Sequence, residues 1–160
     1  MNCTIWRQLI NRRTQFISGA IEWDYEIDRK NIVRLKAIIQ QLKSWPTISL
    51  VGSVAAMDAW LLAQHADEEP EFQKHCLALM KALPKGEVKL SNLAYLEDRV
   101  RVNAGRPQLY GTQFLRVGDS FGPQPIEDPA HLDERRAAAG LGSFKEYEEQ
   151  LNDMYKDTKT

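Results

Sequence analysis

The chain has 160 residues, with 21 Lys and Arg against 22 Asp and Glu and a formal charge of −1 when its histidines are neutral. That length suits one domain with a sizeable core, and balanced charge without a long single-sign block argues against wholesale nucleic-acid binding. Two cysteines, Cys3 and Cys76, form neither a disulfide framework nor a metal cluster. With no basic start leading into an apolar segment, and no apolar run near the ~20 residues of a membrane span, a soluble cytoplasmic protein without signal peptide or membrane contact is expected.

The first predicted element is a helix over about 4–18, with an imperfect stripe of Ile5, Leu9, Ile10, Phe16 and Ile17. Asp28 should cap a clearer helix carrying Ile32, Leu35, Ile39 and Leu42 at spacings of three and four, ended by Trp45-Pro46. Gly52-Ser53 opens a third helix, with Ser53 as its cap. From Val54 to Ala63 only Asp58 interrupts the apolar residues, and a helix apolar on every side is a buried central one.

Pro70 suits the first turn of the next helix, with Asp67 or Glu68 near its cap. Phe72, Cys76, Leu79, Met80 and Leu83 form its inner face, which makes Cys76 a core thiol; Cys3 is expected to be frayed. Ser91 should cap a helix through Leu93, Leu96 and Val100, closed by a left-handed Gly105. Residues 108–117 read as a strand and Gly118-Asp119-Ser120 as a turn, with Pro123 and Pro125 limiting the return. Asp128-Pro129 starts a short helix ending at Gly140, and Ser143 with Glu146 makes a capping box for the last helix, whose tail frays from Asp153. The expected fold is mainly α: a single-domain helical bundle around a buried central helix, with one small β-hairpin. Its divisions are an N-terminal helix at 1–27, a core at 28–152 and a frayed tail at 153–160.

Several polar residues stand where such a fold stays apolar. Gln64, His65 and Asp67 close the third helix, Asp98 and Arg99 lie inside another, and Gln108, Tyr110, Thr112 and Gln113 share the β-like run. Burying such groups is costly unless they are partnered, so they form either a structural network or a pocket. His65 is the natural general acid–base. The helix C-terminus favours its charged form and burial the neutral form, which sets it near the working pH; the competing role is a core histidine bonded to a backbone carbonyl.

Asp67 could orient His65 only if the helix has already ended, and otherwise caps the next one. Asp58 lies two turns from His65 on the same face, too far to bond it. Arg99 offers a planar fork to an anion, or pairs with Asp128 or Glu127. Together with Arg101 and Arg106 it could also hold a single anion. On a strand Gln108, Tyr110 and Thr112 share one face and Gln113 the other, so all four meet only if Gly111 kinks the chain. Gln113 would then want a partner, and His65 is the candidate. His-x-Asp at 65–67 is an unspecific metal spacing, and His75 and His131 read as surface residues. There is no phosphate loop, nucleophile elbow or Cys–His pattern.

Several strings occur in order: Ser-Trp-Pro-Thr at 44–47, Leu-Val-Gly at 50–52, Ala-Trp-Leu-Leu-Ala-Gln-His-Ala-Asp at 59–67 and Pro-Glu-Phe-Gln at 70–73. They continue with Ala-Tyr-Leu-Glu-Asp-Arg-Val at 94–100, Gly-Arg-Pro-Gln-Leu-Tyr-Gly-Thr-Gln at 105–113, Pro-Ile-Glu-Asp at 125–128 and Asp-Glu-Arg-Arg at 133–136. In these the chain resembles the bacterial domain of unknown function 6624 family, from about residue 28 to 147. The resemblance implies a bacterial single-domain protein and carries no activity, cofactor or catalytic residue.

Two functions from different classes follow. One is a small hydrolase or lyase without cofactor, using His65 as acid–base, oriented by Asp67 or Gln113. In it Arg99, Gln108, Tyr110 and Thr112 bind a small polar or anionic substrate, and metal help at His65 and Asp67 is a variant of the idea. The other is a non-enzymatic binding protein of immunity or regulatory type, with His65 in a structural polar network. Either would act as a monomer or homodimer.

Overall fold

A computed structural model describes residues 25–118 and 120–157; the helix expected over 4–18, Cys3 and Asp119 lie outside them. The described order is α1 (Tyr25–Leu42), α2 (Ile48–Gln64), α3 (Pro70–Lys81), α4 (Leu90–Asn103), β1 (Phe114–Val117), β2 (Ser120–Pro123), a 3-10 turn (Pro129–His131), α5 (Leu132–Ala138) and α6 (Phe144–Asp157). The fold is mainly α with one antiparallel hairpin, as expected; β1 pairs with β2 from Phe114 opposite Pro123 to Val117 opposite Ser120.

The core follows the apolar spacing. Leu35 and Ile39 of α1, Ala59, Trp60 and Ala63 of α2, Cys76, Leu77 and Met80 of α3, and Leu96 and Val100 of α4 pack into one cluster with Trp45. Burial raises the Cys76 thiol to about 12, so it stays protonated, as a core thiol should. Helix α2 meets α1, α3 and α4, which makes it central. It is not covered all round, however: Leu50 and Val54 are 59% and 62% exposed.

Several boundaries move for identifiable reasons. Helix α1 begins by Tyr25, so Asp28 sits in its first turn instead of capping it. It ends at Leu42, where Lys43 turns left-handed (φ 53°). A helical turn capped by Thr47 precedes Gly52, whose φ of 81° breaks α2 at the predicted start. Pro70 does open α3, but Glu69 holds the cap position and makes no side-chain cap bond. In α4 that position belongs to Lys89, not Ser91. Gly105 is left-handed as expected (φ 68°). Ser143 Oγ accepts from the Glu146 amide at 3.3 Å, one half of the predicted capping box, while the Glu146 carboxylate takes the Ser143 hydroxyl at 2.8 Å in place of its amide. Helix α6 remains helical past Asp153, to Asp157.

The largest departure is at 108–117. Only Phe114–Val117 forms a strand, and Gln108 makes an isolated parallel bridge with Ile126. The amides of Leu109, Tyr110 and Thr112 turn instead to the Asp98 carboxylate, which a strand would not permit.

Candidate functional site

Helix α4 carries Asp98 into the interior with no exposed surface. Its Oδ1 accepts from the amides of Leu109 (2.7 Å) and Tyr110 (3.0 Å), and its Oδ2 from the Thr112 amide (3.0 Å) and hydroxyl (2.8 Å). Burial raises the Asp98 pKa above the ordinary carboxylate range, against the pull of the Thr112, Leu109 and Tyr110 amides.

The carbonyls of the same loop are held from α5 and α6. Arg135 Nε donates to Leu109 O at 2.8 Å, Arg136 Nη1 to Tyr110 O at 2.6 Å, and the Tyr147 hydroxyl to Thr112 O at 3.3 Å. Arg136 is itself buried, with its guanidinium over the Tyr147 ring at 5.0 Å. Glycine is required where the loop turns: Gly111 has φ 67°, and a Cβ there would lie 2.6 Å from the Phe144 ring. This is the kink without which Gln108, Tyr110, Thr112 and Gln113 could not meet.

Gln108, fully buried, behaves like a piece of backbone. Its Oε1 accepts from Gln113 N at 2.8 Å, and its Nε2 donates to Gln113 O at 3.0 Å and Gln124 O at 2.8 Å. Gln113 donates through Nε2 to the Thr112 hydroxyl at 2.9 Å, and its Oε1 accepts from Arg99 Nη1 at 2.9 Å, so Arg99 takes the place expected for His65.

Arg99 turns its other two nitrogens to Asp67, Nε at 2.9 Å and Nη2 at 2.7 Å, and not to Asp128 or Glu127. Glu127 pairs with Arg101 and Asp128 with His131, while Arg106 is exposed, so the three arginines do not gather around one anion. Asp67 also accepts from Gln73 and Asn103, each at 3.1 Å. Burial raises its pKa, but Arg99 and the donors from Asn103, Arg99 and Gln73 outweigh that and leave it below the ordinary value. Gln73 further donates to Gln64 O at 3.2 Å, which ties the end of α2 to α3.

The structure thus joins Asp67, Arg99, Gln113, Thr112 and Gln108 in one hydrogen-bonded set with Asp98. His65, half-buried, is the C-cap of α2, with its amide bonded to Leu61 O at 3.1 Å, two residues before Asp67. Asp58 is half-buried on α2, and burial raises its pKa. Tyr110 enters the set only through its backbone; its side chain lines a hollow of about 340 Å³ with Lys81, Glu97 and Arg135, which none of His65, Asp67, Arg99 or Gln113 lines.

Among the described residues no three His, Cys, Asp or Glu side chains are grouped to hold a metal ion, and no helix is long and apolar enough to cross a membrane. The hub role of Asp98 and the clamps from Arg135 and Arg136 were not foreseen. Their signal was an acid between core positions Leu96 and Val100, and an adjacent arginine pair in a short helix.

No curated protein and no solved structure matches the chain. Residues 20–159 match the Family of unknown function (DUF6624), and the chain belongs to that family.

Proposed function

We propose that this is a binding protein in which the polar set is a rigid scaffold and the hollow at Tyr110 receives a small polar or anionic ligand. The carrying observation is that Arg99 directs all three guanidinium nitrogens to Asp67 and Gln113, with its Nε–Nη2 fork closed on the Asp67 carboxylate, so that it ties the scaffold together. Gln108 is similarly occupied by backbone groups. A hollow of about 340 Å³, mostly apolar with a few polar groups, has the size and chemistry of a small-molecule site. In this reading the protein is a single domain of the bacterial cytoplasm, a monomer or homodimer, and binds no nucleic acid.

One observation favours the hydrolase or lyase reading as second: His65 is half-exposed and stands two residues from Asp67. There His65 is the acid–base, oriented by Asp67 or Gln113, and Arg99, Gln108, Tyr110 and Thr112 hold the substrate.

Thermal shifts with a mixed metabolite set separate the two. The scaffold reading expects Arg99→Met to lose on the order of 2 kcal/mol of stability, because Asp67 loses its cation and Gln113 Oε1 its donor. It also expects a ligand-induced rise in Tm that survives His65→Gln and disappears in Tyr110→Phe. Full stability of Arg99→Met, together with loss of the ligand effect in His65→Gln, transfers the site to the enzyme reading.

A further inference from the structure

Resting on the binding reading above, we infer that the hollow between α3, α4 and α5 takes a small monocarboxylic acid with an apolar body. Leu90, Leu93, Ala94 and Leu109 supply an apolar wall, and Leu90 remains 47% exposed. Burial of carbon surface there is worth roughly 25 cal/mol per Å², so the wall favours a ligand with a hydrocarbon portion over a fully polar metabolite.

The polar groups favour one negative charge. Lys81 and Arg135 face Glu97, a lining with one surplus positive charge. Glu97 already pairs with Lys81, and Arg101 Nη1 lies 3.8 Å from its other oxygen, so its negative charge is answered from within the protein. Arg135 commits Nε to Leu109 O and Nη2 to the carbonyls of Glu127 and Asp128. Its Nη1 pairs loosely with Asp128 Oδ2 at 3.8 Å, which offsets part of its charge but lies beyond hydrogen-bond length, so Nη1 keeps donors for a ligand acceptor.

Among the described residues no side chain or backbone group bonds the Tyr110 hydroxyl, although its amide and carbonyl are both fixed, by Asp98 and Arg136. A phenol held at its root and unpartnered at its tip is a preorganised donor. The Lys81 ammonium and Arg135 Nη1 only donate and the Tyr110 hydroxyl can donate, a set that suits a carboxylate better than an amine or an amide N–H.

Calorimetric titration with octanoate below its micelle concentration tests this, with acetate (charge without body) and octanol (body without charge) alongside. Saturable octanoate binding is expected, with both controls at least tenfold weaker, and with a severalfold loss of octanoate affinity in Tyr110→Phe and in Lys81→Met. Because Lys81→Met disturbs an ion pair, Tyr110→Phe is the conservative arm, and its melting curve should overlay that of the wild type. Octanol binding as tightly as octanoate, or undiminished octanoate affinity in Tyr110→Phe, overturns the inference. If octanoate fails while a metabolite still gives a Tyr110-dependent thermal shift, the ligand class is wrong and the binding reading stands; if neither binds, both fail.

Discussion

Asp98 shows how one residue can decide the path of a loop. A carboxylate with no exposed surface is costly in isolation, yet its two oxygens collect donors from Leu109, Tyr110 and Thr112 at 2.7–3.2 Å. Removing it leaves those amides buried without acceptors. Asp98→Ala should therefore cost on the order of 3 kcal/mol or more, read as a lower denaturant midpoint at an unchanged slope. A cost under about 0.5 kcal/mol, the usual scale of a surface change, would show that water replaces the carboxylate.

At the scale of elements, the segment 108–113 has no ladder of its own and takes its shape from its neighbours. The amides of Leu109, Tyr110 and Thr112 go to α4, and their carbonyls to α5 and α6, while Gln108 and Gln113 bond to 124–127 and to each other. Gly111 makes this possible, because a β-carbon would meet both a left-handed backbone (φ 67°) and the Phe144 ring at 2.6 Å. Gly111→Ala combines the left-handed penalty with overpacking and should cost about 2–4 kcal/mol, measured by thermal or denaturant melting.

The same segment shows where the sequence stops being legible. Helices α1 to α4 and the hairpin announce themselves through local spacing, proline and glycine. The alternation of Gln108, Tyr110 and Thr112 also mimics a strand, but the amides of Leu109, Tyr110 and Thr112 are claimed by a carboxylate eleven to fourteen residues back, which no local period records. The need for a kink at Gly111 was readable from side-chain alternation. The choice of Arg99 over His65 as the partner of Gln113 was not, since it depends on how α4 packs beside the end of α2.

For the molecule as a whole, the turn after α2 is a junction. Its successive acids hold cations from two different helices: Asp67 takes Arg99 of α4, Glu68 takes Arg29 of α1 at 2.8 Å, and Glu69 takes Lys36 of α1. The Glu68 pair is largely exposed and should contribute little. Asp67, with its additional donors, should matter more, and with a definite sign. Its folded pKa is depressed, so its stabilisation is present above the unfolded value of about 4 and is lost as pH falls through the folded value. The stability gap between wild type and Asp67→Asn should stay level from neutrality to about pH 5 and close below about pH 4. Urea melts across that range measure it, and a gap that widens on acidification contradicts the assignment.

The junction also bears on how the chain meets a protease. Asp67 and Glu68 are exposed enough to invite cleavage, but a protease must draw several residues into an extended strand, and here that means detaching from α1, α3 and α4 together. Nicking at 66–69 should therefore track cooperative opening of the entire bundle, and its rate can serve as a clock for global unfolding in native buffer.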